Sequence, residues 1–212
     1  MVYPNCNEEK KLWKRGFNFV VGLDEAGRGP LAGPVVAAAV VLNKNVSIGD
    51  LKIRDSKKLS EQQREFFYEK LTHHKDIRWQ IGIVSEKVID QINILQATKL
   101  VMVKAIKNLP GDFLLIDGNF NIRSNIGQKS IIKGDEKVFS ITAAGIIAKV
   151  TRDRIMKKMH KKYPKYGFGA HKGYGTSLHV RNLKIFGPCP IHRMTFAKVL
   201  PNLDSSDKME TV

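Results

Sequence analysis

The chain has 212 residues, is 42% hydrophobic and 26% charged, and carries a formal net charge of +16, which suits one domain with a full-sized core and a polyanionic partner, nucleic acid foremost. No apolar run reaches the roughly 18 residues of a membrane span, and the first twenty residues carry no apolar signal core, so neither a membrane nor a secretory role is expected. Cys6 and Cys189 match no metal-ligand spacing and read as free thiols of a reducing, cytoplasmic compartment.

Residues 1–16 read as an N-terminal extension. Phe17–Asp24 and Pro34–Leu42 are expected as strands joined by a glycine turn. The second contains eight consecutive apolar residues, Val35 to Leu42, as in a strand buried on both faces. Ser60 is placed to cap a helix running to Leu71. Arg78–Val84 alternates as a strand, and Ser85 is placed to cap a longer helix ending at Leu109-Pro110-Gly111. Phe113–Ile116 reads as a short buried strand, Lys129–Lys133 as another, with helices over Thr142–Lys162 and Thr176–Phe186. This alternation predicts an α/β sheet covered by helices. Residues 201–212 read as a frayed tail.

The chemistry gathers at strand ends. Asp24 and Glu25 stand between an apolar run and the glycines Gly27, Gly29 and Gly33. Adjacent strand residues point to opposite faces, so both acids reach one ion only if the strand ends there and the backbone turns. The alternative is a tight glycine turn bearing two solvated acids. Asp117 follows Phe113-Leu114-Leu115-Ile116, and Asp135 follows Ser130-Ile131-Ile132-Lys133-Gly134 in the same manner. Ligands commonly bind at the ends of neighbouring strands, and converging carboxylates make a hard-oxygen site for Mg2+ or Mn2+. Two such ions can activate a water and stabilise the leaving oxygen of a phosphodiester. Between Lys149 and Lys165 lie eight cations against one acid, Asp153, a balance that favours phosphate contact over a merely solvated helix face.

The stretch Asp24-Glu25-Ala26-Gly27-Arg28-Gly29-Pro30-Leu31-Ala32-Gly33-Pro34 resembles the signature of type 2 ribonuclease H, specifically the bacterial ribonuclease HII family. Further matches follow in order: Asp55-Ser56-Lys57-Lys58-Leu59, Ile116-Asp117-Gly118, Lys133-Gly134-Asp135, Ala148-Lys149-Val150 with Arg152-Asp153, Tyr163-Pro164, His171-Lys172-Gly173-Tyr174-Gly175-Thr176, and Gly187-Pro188 with His192-Arg193. The resemblance implies a ribonuclease H-like mixed sheet flanked by helices, with a C-terminal helical region, over residues 17–200. It implies hydrolysis of RNA in RNA–DNA hybrids and cleavage at ribonucleotides embedded in duplex DNA, leaving 3′-hydroxyl and 5′-phosphate ends. It assigns Asp24, Glu25, Asp117 and Asp135 as catalytic metal ligands for Mg2+ or Mn2+. The backbone of Gly27, Arg28 and Gly29 is expected at the ribose 2′-hydroxyl, and Tyr174 on the following sugar. Lys57, Lys58, Lys133, Lys149, Lys172, His192 and Arg193 complete the expected substrate-binding set. The setting implied is the cytoplasm, in ribonucleotide excision repair and replication, as a monomer.

Several readings stay open in the sequence. Lys57 and Lys58 meet phosphates or belong to a solvated loop. Tyr174 is a core aromatic in one reading, although Lys172, Gly173 and Gly175 favour a surface loop. Asp153 ranks below Asp135 because it lies among cations that can pair with it, and His171, His179 and His192 show no partner. The family usually has serine at the position of Gly145. Only 23 residues precede Asp24, too few for the extra N-terminal domain of the related type 3 enzymes. The alternatives are another two-metal nuclease of this architecture, which would be indifferent to the 2′-hydroxyl, and a non-catalytic nucleic-acid-binding protein, which would need no metal.

Overall fold

The computed structural model describes residues 3–49 and 51–199. Its centre is a five-stranded sheet of β1 (Val20–Ala26), β2 (Val35–Leu42), β3 (Ile77–Val84), β4 (Phe113–Asp117) and β5 (Gly127–Ile131), in the order β3-β2-β1-β4-β5. The first three strands form an antiparallel meander, while β4 and β5 run parallel to β1. This is the helix-covered α/β sheet that the strand–helix alternation predicts, mixed as the resemblance implies.

The apolar run of β2 is buried throughout because both faces are covered. Val36, Ala38, Val40 and Leu42 pack with Phe139, Ala143 and Ile147 of helix α4 (Phe139–Lys162), which also lies along β1. Val35, Ala37, Ala39 and Val41 pack on the other side with Ile89, Ala97 and Val101 of α3 (Glu86–Ile106). Side-chain alternation thus feeds one strand into two core layers. At Gly22 a Cβ would fall 2.4 Å from Ser140, so α4 rests directly on the backbone of β1.

Helix α2 (Glu61–Thr72) starts at Ser60, as expected, with a reciprocal capping box to Gln63. Ser85 precedes α3 but makes no side-chain cap bond. The single long helix expected there is broken at Asn93, whose φ is +64° and whose Oδ1 accepts the N–H groups of Leu95 and Gln96 at 3.0 and 3.1 Å. Asn93 therefore caps a second helical segment, a role that apolar periodicity does not reveal.

The N-terminal stretch contains helix α1 (Asn7–Lys14), which supplies what α4 lacks. Helix α4 begins three residues earlier than expected and has no side-chain cap at Val138. The Ser140 N–H instead donates to the buried Glu9 carboxylate at 2.9 Å, and Phe139 N–H donates to the Asn5 carbonyl at 3.0 Å. Helices α5 (Phe168–His171) and α6 (Ser177–Phe186) complete the C-terminal helical region, with Thr176 capping α6. The tail expected from residue 201 lies outside the described residues.

Candidate active site

Parallel pairing sets Leu23 of β1 opposite Ile116 of β4, so the next residue on each strand, Asp24 or Asp117, falls beside the other at the C-terminal ends. Asp24 leaves from the face covered by α4, against Gly145. Asp117 shares the face of Leu115, which packs with Ile141 of the same helix. Asp135 comes from a 3-10 turn, Gly134–Glu136, whose Asp135 carbonyl accepts the Thr142 hydroxyl at 2.8 Å. One carboxylate oxygen from each of Asp24, Asp117 and Asp135 lies within 4.8 Å of the others.

Asp24 and Asp117 are charged at a cost. Burial first, then the charges of Glu25, Asp117 and Asp135, hold the Asp24 carboxyl well above its ordinary range. Burial and the neighbouring Asp135 raise Asp117, even though its Oδ1 accepts the Gly134 N–H at 2.7 Å. Lys57 meets Asp135 Oδ2 at 3.1 Å. Burial pulls that ammonium down, but the bond to Asp135 and its charge prevail and hold it above the ordinary lysine range.

Glu25 does not join the three aspartates. The strand continues through Ala26, with Glu25 paired to Ala37, so its side chain leaves from the opposite face. The backbone does not turn at Asp24, the condition set for both acids to reach one ion: β1 runs to Ala26 and the turn begins at Gly27. Glu25 Oε1 lies 3.4 Å from Arg28 Nη1, and Oε2 is buried without a partner. Burial pushes Glu25 up to about 7, with Arg28 opposing the shift. The three converging aspartate oxygens fit a hard divalent cation.

The glycine turn is built from beneath. Gly27 has φ +102°, and a Cβ there would fall 2.1 Å from Arg152 Nε, so only glycine fits. The Arg193 guanidinium donates to the carbonyls of Gly27, Arg28 and Gly33 at 2.6, 2.9 and 2.8 Å. That of Arg152 donates to Pro34, Ala32 and Lys172 carbonyls at 2.9, 3.0 and 3.0 Å. Both side chains are fully buried. Gly29 differs from Gly27: its φ is not positive, and an added Cβ would meet nothing within 4 Å. The fold itself does not require glycine at 29, so the position is free to admit a ligand close to the backbone.

The turn docks on the 171–176 loop through Leu31 N–H, which donates to the Gly173 carbonyl at 2.8 Å. Tyr174 is 41% exposed there, with Lys149 Nζ 5.5 Å and Arg152 Cζ 5.8 Å from its ring centroid. It is a surface aromatic on this loop.

The remaining expected residues divide. Lys58 is exposed and pairs with Glu136 at 2.7 Å, and Lys133, at φ +56°, leads into the turn that carries Asp135. Lys149 pairs with Asp153 at 2.7 Å, which gives Asp153 the pairing role the sequence suggests. Lys172, His192 and Arg193, expected in the substrate-binding set, are engaged within the protein. Lys172 turns its ammonium to the Gly169 carbonyl, and His192 and Arg193 are buried. The basic run needs a correction of its own. Arg152 lies inside the protein, while Lys149, Arg154 and Lys157 pair with Asp153, Glu65 and Glu61. Lys158, Lys161, Lys162 and Lys165 make no such pair among the described residues. The sequence missed the scaffolding role of Arg152 and Arg193 because an inward-pointing arginine has no local signature.

A family model described as Ribonuclease HII matches residues 21–199. A ribonuclease HII of Acetivibrio thermocellus is 55% identical over 195 residues, covering 91% of this chain and 75% of the relative. Among solved structures, ribonuclease H2 from Pyrococcus horikoshii OT3 superposes with a TM-score of 0.70 at 29% identity, covering 85% of this chain and 95% of that one. The ribonuclease HII of Archaeoglobus fulgidus, solved as a complex with PCNA, gives 0.72 at 27% identity, covering 84% and 95%.

Proposed function

Since the chain belongs to the ribonuclease HII family, and is therefore a ribonuclease, we propose that it hydrolyses the RNA strand of RNA–DNA hybrids and cuts on the 5′ side of ribonucleotides embedded in duplex DNA. The products are a 3′-hydroxyl and a 5′-phosphate. The observation that carries this reading is the convergence of Asp24, Asp117 and Asp135 within 4.8 Å, beside a glycine turn whose Gly29 is open to a ligand.

Asp24, Asp117 and Asp135 would hold Mg2+ or Mn2+, with Glu25 the further carboxylate on the other side of β1. Bound in pairs, such ions activate a water and stabilise the leaving oxygen of a phosphodiester. The protein's own groups do the selecting. At Gly27, Arg28 and Gly29 the backbone can approach a 2′-hydroxyl, the group that separates RNA from DNA. Arg28 and Lys57, with exposed side chains, and Lys58 and Lys133 from the neighbouring turns supply cations for phosphates. The Tyr174 face receives the next sugar, above Lys149. Arg193 and Arg152 act through the turn they hold.

Among the described residues no helix is long and apolar enough to cross a membrane. Two free buried thiols, Cys6 and Cys189, support a reducing cytoplasmic setting, where excision of ribonucleotides during repair and replication is the fitting role. Action as a monomer is the simplest assembly; the PCNA complex of the Archaeoglobus protein makes a protein partner the alternative.

The test is cleavage of a DNA duplex carrying one ribonucleotide, with Mg2+, with Mn2+ and with neither, against an all-DNA control. A metal-dependent cut 5′ of the ribonucleotide, with the control intact, is expected. Cutting of both duplexes would discard the 2′-hydroxyl reading, and binding without cutting would discard catalysis.

Gly145 bears on the same site. A Cβ there would fall 2.3 Å from Asp24 Oδ2, so Gly145→Ala must displace a metal-binding carboxylate. Titration calorimetry with Mn2+ is expected to show about 10–100-fold weaker binding. Gly145→Ser should lose less, because its hydroxyl can donate to the displaced carboxylate; equal loss in the two variants would refute this account.

A further inference from the structure

Behind Tyr174 lies a group of buried histidines that the hydrolytic chemistry does not use. His179 and His192 are essentially inaccessible, and the His171 ring stacks on His179 with centroids 4.4 Å apart. His179 Nδ1 lies 2.9 Å from the Tyr174 carbonyl oxygen, and His179 Nε2 lies 3.0 Å from His192 Nε2. At the far end, the Cys189 N–H donates to His192 Nδ1 at 2.8 Å.

The two ends fix the protons independently. A carbonyl oxygen only accepts, so His179 Nδ1 carries a hydrogen and its Nε2, in the neutral ring, is bare. A backbone N–H only donates, so His192 Nδ1 is bare and its Nε2 carries the hydrogen. These assignments meet correctly in the middle: His192 Nε2–H donates to His179 Nε2. The Cys189 carbonyl, 3.2 Å from His192 Nδ1, is the competing acceptor. Choosing it would put two bare Nε2 atoms face to face and leave the Cys189 N–H opposed by a second donor. Burial draws His179 down to about 4 and lowers His192, so both rings are neutral near pH 7.

We propose that His192 and His179 form a proton-ordered relay from the Cys189 N–H to the Tyr174 carbonyl, and that both are positioning residues for Tyr174. The relay ends where the loop needs an anchor. Lys172 and Gly173 just before Tyr174 both have positive φ, +51° and +87°. The Tyr174 carbonyl also accepts the Thr176 N–H at 2.8 Å at the start of α6. The relay therefore ties the 189–192 segment, through the first turn of α6, to the backbone of the exposed tyrosine. Its functional consequence rests on the reading of Tyr174 as the contact to the sugar that follows the ribonucleotide.

Two measurements on the full chain test it. Imidazole 15N spectra at neutral pH should show His179 protonated at Nδ1 and His192 at Nε2; the opposite tautomer on either ring overturns the relay whether or not the protein cuts anything. Steady-state kinetics on His192→Phe, which keeps an aromatic ring but no donor, should show KM for a single-ribonucleotide duplex rising about tenfold, the value of one lost hydrogen bond. KM for a continuous RNA–DNA hybrid should change much less, and His192→Gln, with an amide donor, should recover most of the loss. Equal losses on the two substrates, or none, would overturn the positioning role. A wild-type chain that cuts neither substrate would refute the functional reading, while the tautomers would still decide the relay.

Discussion

Asp117→Asn is expected to remove turnover while leaving the fold intact. The asparagine is nearly isosteric, and its Oδ1 can still accept the Gly134 N–H that Asp117 holds at 2.7 Å. What disappears is the negative charge shared with Asp24 and Asp135. Electrostatic stabilisation by a bound ion is worth several kcal/mol, so the loss should be about 10^3-fold in kcat or more. In the metal-free protein the same change relieves repulsion, since burial and the charge of Asp135 already disfavour an ionised Asp117. The metal-free variant should therefore melt at or above the wild-type temperature, and Mn2+ should stabilise wild type but not the variant. Calorimetric melting with and without Mn2+, alongside the cleavage assay, checks all of this. A fully active Asp117→Asn would remove Asp117 from the metal site.

The convergence of Asp24, Asp117 and Asp135 follows from features visible in the sequence. Asp24 and Asp117 each end an apolar run, and parallel pairing of buried strands brings such ends together. Asp135 follows β5 by the same logic, through one short turn. Glu25 shows the limit of that logic. Alternation along a strand says that neighbours diverge, yet where the strand ends depends on its partner, and pairing with β2 carries β1 to Ala26. The helix boundaries teach the same lesson. Ser60 carries its cap locally and was legible, whereas Ser85 makes no cap bond and α4 takes its cap from Glu9, 131 residues away. The basic run from Lys149 to Lys165 misleads because composition counts charges without directions. Four of its cations are engaged by acids or by buried carbonyls, and Arg152 holds the glycine turn from inside.

Arg193→Met should produce the opposite pattern to Asp117→Asn, because it removes the support of the turn and leaves the acids untouched. Arg193 is fully buried, and its guanidinium satisfies the carbonyls of Gly27, Arg28 and Gly33. Burial, and then the charge of Arg152, pull its pKa down to about 9, still protonated at neutral pH. Methionine fills much of the volume but leaves three inward carbonyls without donors. Breaking a buried charged network in this way costs about 3–5 kcal/mol, which for a domain of this size lowers Tm by roughly 10 °C. Below that melting point the variant should still bind Mn2+ close to wild-type affinity, since Asp24, Asp117 and Asp135 do not touch Arg193. Discrimination between a ribonucleotide and a deoxyribonucleotide should nevertheless fall, because the backbone at Gly27 to Gly29 is no longer held. Arg193→Lys should recover only part of both losses, since a compact ammonium cannot span three acceptors arranged for a planar fork. Loss of Mn2+ binding in step with discrimination would mean that the turn and the acids form one unit. Unchanged melting and unchanged discrimination would mean that the turn keeps its shape without the arginine beneath it.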